Sequence, residues 1–134
     1  MKEVENSSDR LAKLNELSGQ VIGAAIAVHK ELGPGYAEAL YERAMAIELR
    51  HRNIPFNEQV TIQVGYRGEM VGEGRIDLLV QNDLIVELKA IDTLAPIHTA
   101  QVVSYLKATG KNLGLLINFN TPRLRDGIKR VIFP

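Results

Sequence analysis

The chain has 134 residues, of which 46% are hydrophobic and 24% are charged, as is typical of a globular protein of one domain. Sixteen basic residues balance sixteen acidic ones, which argues against strong non-specific binding to nucleic acid, because such binding needs excess Lys and Arg. The absence of cysteine excludes disulfide bonds and thiolate metal sites. The longest apolar run, residues 21–28, is too short to span a membrane, and no hydrophobic signal segment opens the chain. We therefore expect a cytoplasmic location.

Two helices are predicted in the first part of the chain. Residues 1–8 are polar, and we expect them to be disordered or frayed ahead of a single domain over residues 9–134. Apolar residues recur at helical spacing from residue 9 to about residue 32, and Gly33-Pro34-Gly35 ends this helix. A second helix is predicted over residues 38–52.

The rest of the chain predicts strands, turns and one helix. The strands are expected at residues 54–66, 70–80, 84–90, 113–117 and, as an edge strand, 128–133. A helix is predicted at residues 96–109, and a turn or short helix at residues 121–126. The order α-α-β-β-β-α-β-(β) predicts an α/β chain of the α+β type, with a mixed central sheet flanked by helices.

Three charged side chains, Asp77, Glu87 and Lys89, interrupt the apolar strands of the predicted hairpin at residues 70–90. A buried charge is costly unless it is paired or holds a metal. A hairpin folded about Asn82 pairs residue 77 with residue 87, and Glu87 shares a face with Lys89. Two facing carboxylates repel each other, and a divalent cation between them removes that penalty. The pattern indicates a metal-dependent hydrolytic site. The alternative is a surface hairpin with a polar face and a Glu–Lys pair.

Five motifs follow one another along the chain. They are Gly35-Tyr36-Ala37-Glu38-Ala39-Leu40-Tyr41, Asp77, Glu87-Leu88-Lys89, Gln101-Val102-Val103-Ser104-Tyr105 and Gly114-Leu115-Leu116-Ile117-Asn118-Phe119. Together they resemble the GxxExxY protein family, a branch of the PD-(D/E)XK nuclease superfamily, over about residues 15–134. The resemblance implies a restriction-endonuclease-like core. The chain departs from the superfamily pattern at Arg75-Ile76, which replaces the proline that gives the motif its name.

The resemblance also implies roles for individual residues. Asp77 and Glu87 would bind Mg²⁺ or Mn²⁺, and Lys89 would orient or activate the attacking water. Glu38 would join the metal site directly or through water, and the backbone carbonyl of Leu88 would complete the set of ligands.

A second pair of residues, Gln101 and Tyr105, resembles the Gln-x-x-x-Tyr element of the RecB-like nucleases and would line the site. They lie four residues apart on one helix face, so the alternative is a core Tyr with Gln at its rim. For Glu38 the alternative is the preference of a helix N-terminus for an acid. We expect Glu42 to be an ordinary solvent-facing acid and His98 to have a capping or surface role.

The basic residues form one small group, Arg123, Arg125, Lys129 and Arg130, which would contact a nucleic-acid backbone or form a solvated face. Arg75 is a further candidate for such a contact.

The leading interpretation is metal-dependent hydrolysis of phosphodiester bonds in nucleic acid, with DNA expected rather than RNA and no membrane partner. The second interpretation is a non-catalytic nuclease-fold binding or assembly module. With no accessory domain and no basic surface, the chain would act as a homo-oligomer or with a protein partner.

Overall fold

The computed structural model describes residues 7–134. The elements are, in chain order, α1 (Ser7–Leu32), α2 (Glu38–His51), β1 (Phe56–Tyr66), β2 (Glu69–Val80), β3 (Leu84–Lys89), α3 (Pro96–Thr109), β4 (Leu113–Asn118), a short 3-10 helix (Leu124–Gly127) and β5 (Ile128–Ile132). This order confirms the predicted one. The expected disorder of residues 1–8 lies mostly outside the described residues, and α1 begins at Ser7, two residues before its predicted start.

The five strands form one mixed sheet in the order β1-β2-β3-β4-β5. β1, β2 and β3 are antiparallel neighbours, and β4 pairs with β5 in the same way. β3 and β4 are parallel, because α3 carries the chain back across the sheet between them. β1 and β5 are therefore the two edge strands, as predicted for β5.

The sheet lies between two layers of helix. α1 and α2 pack on one face around residues such as Val86 and Leu88, and α3 packs on the other face around residues such as Ile85 and Leu116. All residues of β4, and all of β3 except Lys89, are buried. The unbroken apolar runs of the sequence follow from this, since a strand covered on both faces has no solvent side. No helix of residues 7–134 has the length and apolar character that a bilayer crossing requires.

Tyr41 fixes the junction between α1 and α2. Its hydroxyl donates a hydrogen bond of 2.6 Å to the carbonyl oxygen of Gly33 and accepts one of 3.2 Å from the backbone N–H of Tyr36. Its ring stacks on Phe119 with the centroids 4.6 Å apart. Gly35 has a φ of 107°, which disfavours any residue with a side chain. Gly35 and Tyr41 thus set the point at which α2 begins.

Strand β2 changes face at Asp77. In a regular strand, residues two apart face the same side, yet Ile76 packs on the α3 side of the sheet and Leu78 on the α1–α2 side. The neighbouring position of β1, Gln59, has a φ of 50° and takes no part in the β1–β2 ladder, which continues at Val60↔Ile76. The switch interrupts regular strand pairing beside Asp77.

Candidate active site

The β2–β3 hairpin has the register predicted from the sequence. Its turn is at residues 81–83, and its Cα pairs are Val80↔Leu84, Leu79↔Ile85 and Leu78↔Val86. Asp77 and Glu87 lie one step beyond the last pair. There, side-chain carboxyl groups and backbone N–H groups make the hydrogen bonds between the strands. Glu87 Oε2 accepts a hydrogen bond of 2.7 Å from the backbone N–H of Asp77, and Asp77 Oδ2 accepts one of 2.9 Å from that of Leu88. The two carboxylates hold the strands together at the point where the ladder stops.

Glu87 carries an unusual charge state. Glu87 is only 3% exposed, and its burial, together with the negative charge of Asp77, raises the pKa of its carboxyl from 4.5 to about 8. The hydrogen bond from the Asp77 backbone and the charge of Lys89 lower this pKa in part. The raised pKa favours the protonated form of Glu87 at neutral pH. The repulsion between the two acids, expected from the sequence, is relieved by that proton rather than by Lys89 alone.

Helix α2 brings two further acids to the hairpin. Partial burial raises the pKa of Glu38, which the charge of Lys89 lowers and that of Asp77 raises, so Glu38 lies within electrostatic reach of both. Burial also raises the pKa of Glu42, whose carboxylate accepts a hydrogen bond from the side-chain amide of Gln59. The same amide lies 3.5 Å from Asp77 Oδ1.

The expectation that Glu42 is an ordinary solvent-facing acid is therefore wrong, because Gln59 connects Glu42 to Asp77. The sequence carries one signal for this position: Glu38 and Glu42 are four residues apart and so share a helix face. It carries none for Gln59, whose orientation depends on the change of face in β1 and β2.

Lys89, the last residue of β3, is half-buried and pairs with Asn118 of β4. The buried side chain of Asn118 donates a hydrogen bond of 2.8 Å to the carbonyl oxygen of Ile91 and accepts one of 3.1 Å from its N–H. The backbone N–H of Phe119 donates to the carbonyl oxygen of Lys89 at 2.9 Å. These bonds hold the chain on both sides of Lys89. The sequence motif contains Asn118 but does not indicate this role.

A family model described as the PD-(D/E)XK nuclease superfamily matches residues 15–131. The chain belongs to the PD-(D/E)XK nuclease superfamily. Comparison with curated proteins gave no match. The fold agrees with this membership, because three helices and a five-stranded mixed sheet make the restriction-endonuclease-like architecture that the motifs imply. Membership suggests a nuclease-type function and binding of nucleic acid.

Gln101 and Tyr105 share one face of α3, as expected in a PD-(D/E)XK protein with this motif. The Gln101 amide donates a hydrogen bond of 3.3 Å to the hydroxyl of Tyr105. The Tyr105 ring is half-buried against Gly74, where an added Cβ would lie 2.8 Å from Tyr105 Cε1. Within residues 7–134 neither side chain hydrogen-bonds to Asp77 or Glu87. Packing accounts for the Tyr105 ring, and the exposed Gln101 is left free for other contacts.

The basic residues expected to contact nucleic acid are all exposed: Arg75, Arg123, Arg125, Lys129 and Arg130. They do not share one surface. Arg130 donates a hydrogen bond of 3.0 Å to Ser18 of α1, whereas Lys129 lies beside Pro96 at the start of α3 on the other face of the sheet. The predicted capping role of His98 is confirmed, because its Nδ1 accepts a hydrogen bond of 2.8 Å from the N–H of Ala95.

Nucleases of this superfamily generally use divalent metal ions. The candidate ligands in this site are oxygen atoms. Across residues 7–134, no three His, Cys, Asp or Glu side chains converge as a ready-made metal site. The carboxylates of Asp77 and Glu87 fit a hard cation, since Mg²⁺ prefers oxygen ligands and is often held by one or two carboxylates. Asp77 Oδ1 is available for this purpose, because among residues 7–134 its one hydrogen bond is the long one from Gln59.

Proposed function

We propose that this chain is a metal-dependent nuclease of the GxxExxY branch, which hydrolyses phosphodiester bonds in nucleic acid. The observation that carries the proposal is the cross-strand pair of Asp77 and Glu87. Two acids that bond to each other's strand, in a site so buried that one of them keeps a proton at neutral pH, are a costly arrangement for stability alone.

The proposed metal ligands are the carboxylates of Asp77 and Glu87, with Glu38 and the carbonyl oxygen of Leu88 as further oxygen donors. Mg²⁺ or Mn²⁺ held there would supply Lewis acidity toward a phosphate oxygen and lower the pKa of a water molecule. A metal ion bound there would take the place of the Glu87 proton, so metal affinity should rise with pH. The charges of Asp77 and Lys89 both shift the pKa of Glu38, which supports Glu38 as a further ligand.

The other side chains have supporting roles in this proposal. Lys89 presents its ammonium group beside Glu87 and neutralises charge that develops on the scissile phosphate, or orients the attacking water. Asn118 holds the chain after Lys89 and so limits the positions its side chain reaches. Gln101, whose amide bonds to the hydroxyl of Tyr105, would line the site from α3.

The test is a cleavage screen with Mn²⁺ over single- and double-stranded DNA and RNA. Asp77→Asn, Glu87→Gln and Lys89→Ala should each abolish cleavage while the circular dichroism spectrum stays that of the wild type. A variant that combines the three substitutions should lose no more cleavage activity than the most damaging single substitution, because the three residues act as one unit. Glu69→Gln, which makes the same substitution at an exposed position of β2, is the matched control. Cleavage at the wild-type rate in Glu87→Gln would contradict the assignment.

A second candidate function, a non-catalytic binding or assembly module, is favoured by one feature. Asp77 and Glu87 already accept backbone hydrogen bonds, and residues 7–134 contain no ready-made cluster of three metal-binding side chains. Isothermal titration with Mn²⁺ separates the two functions, because a scaffold has no reason to bind the ion. Our remaining proposals are a DNA substrate, action of residues 9–134 as one domain, a cytoplasmic location, and a homo-oligomer or protein partner.

A further inference from the structure

A groove runs between α2 and the edge strand β1, next to the candidate site. It consists of two adjoining cavities of about 400 and 520 Å³ that share Arg50 and Glu58 as lining residues. The smaller cavity is also lined by Glu42, the acid that Gln59 connects to Asp77. The larger continues past Phe56 toward the start of β1. We call this feature the α2–β1 groove.

Two arginines of α2 line this groove without an ion-pair partner. Arg43 and Arg50 are exposed and lie seven positions apart in sequence, which places them roughly 10 Å apart along one flank of the helix. Among residues 7–134 neither guanidinium has a carboxylate within salt-bridge distance, whereas Arg52 at the end of α2 pairs with Glu48 at 2.7 Å. Guanidinium groups bind phosphate through paired N–H donors. The groove therefore offers two spaced guanidinium groups to phosphates, beside the acids Glu42 and Glu58 that also line it.

The remaining lining suits unpaired bases. The guanidinium carbon of Arg50 lies 5.7 Å from the centroid of the Phe56 ring, and Ile47 is 57% exposed. Aromatic rings and guanidinium planes stack on the faces of unpaired bases, and the bases of a duplex are not available for this. Cavities of this size take ligands no larger than a few nucleotides.

We infer that the α2–β1 groove binds single-stranded nucleic acid, with Arg43 and Arg50 on successive parts of its backbone. The strand would then run past Glu42 to Asp77. The inference rests on the proposed function only for cleavage of the strand at Asp77, because binding in the groove needs neither metal nor cleavage. The basic residues near the C-terminus are not needed for it.

The test is fluorescence anisotropy with a labelled single-stranded DNA oligonucleotide of about 12 nucleotides, a length within the usual site sizes for such binding. Affinity is measured in EDTA over a range of salt concentrations. Each phosphate contact on a single strand contributes about 0.7 to the slope of log affinity against log salt. The double variant Arg43→Gln, Arg50→Gln should reduce the slope by about 1.4, and Arg43→Lys, Arg50→Lys should restore most of it. Lys30→Gln, Arg67→Gln removes two exposed positive charges outside the groove, so this matched control should leave the slope unchanged.

Arg43→Gln alone should reduce the slope by about 0.7, and it keeps the inference testable if loss of the contact between Arg50 and Phe56 unfolds the double variant. Four outcomes would overturn the inference. They are no binding of the oligonucleotide by the wild type, a wild-type slope in the glutamine variants, an equal loss in the control pair, and equally tight, arginine-dependent binding of the matching duplex. Arginine-dependent binding without cleavage in Mn²⁺ supports the groove and refutes hydrolysis. Cleavage that needs Glu87 but neither arginine supports hydrolysis and refutes binding in the groove.

Discussion

The buried proton of Glu87 predicts an unusual dependence of stability on pH. Burial, and then the charge of Asp77, raise the pKa of this carboxyl in the folded state to about 8, whereas an unfolded glutamate has a pKa near 4.5. Between these pH values the folded chain keeps a proton that the unfolded chain has lost. The stabilisation is complete below pH 4.5 and disappears as the pH rises through 8. Glu87 therefore makes the metal-free protein less stable as the pH rises.

The size of the effect follows from the same two pKa values. One pH unit of this linkage corresponds to about 1.36 kcal/mol, so the loss of unfolding free energy between pH 4.5 and pH 8 is at most about 5 kcal/mol. For a domain of this length, that upper bound corresponds to a fall in melting temperature of at most about 15–20 °C. Glu87→Gln keeps the side-chain oxygen that accepts the hydrogen bond from Asp77 and carries no titrating proton, so the variant should lose this slope.

The assay is thermal unfolding in EDTA at several pH values from 5 to 8, with Glu69→Gln as the control for removal of an exposed charge. Wild type and Glu87→Gln should have similar melting temperatures at pH 5, because the protonated acid and the amide are both neutral. At pH 8 the variant should be the more stable. Parallel curves for the two proteins, or a variant that is less stable at pH 8, would show that Glu87 is not a buried neutral acid.

Two further predictions concern metal binding and the start of α2. Mg²⁺ or Mn²⁺ at about 100 times its dissociation constant should stabilise the wild type by about 2.7 kcal/mol. Addition of EDTA should reverse the gain, and Asp77→Asn, Glu87→Gln should show none in a thermal shift assay; an unchanged wild type would contradict the metal site. Tyr41→Phe keeps the stacking on Phe119 but leaves the Gly33 carbonyl and Tyr36 N–H without the hydroxyl. It should cost about 1–3 kcal/mol in urea unfolding, and a cost near zero would show that water replaces the hydroxyl without loss.

Much of the candidate site could be predicted from local patterns. Apolar runs with a three-residue turn set the register of the β2–β3 hairpin, and that register places Asp77 beside Glu87. Helical spacing located α2 and put Glu38 in its first turn. Gln59 could not be found in this way, because its contact with Asp77 depends on a left-handed backbone conformation in β1. Asn118 belongs to a sequence motif, but its bonds to Ile91 span 27 residues of sequence.

The elements of this protein, their order and the hairpin that carries its acids follow from local sequence patterns, since these depend on neighbours a few residues apart. The chemistry of those acids depends instead on the tertiary fold. The pKa of Glu87 is set by the helices and strands that exclude water from it, and the link from Glu42 to Asp77 is set by the packing of β1 beside α2. Burial and cross-chain contacts are properties of distant residues brought together, and no local pattern records them.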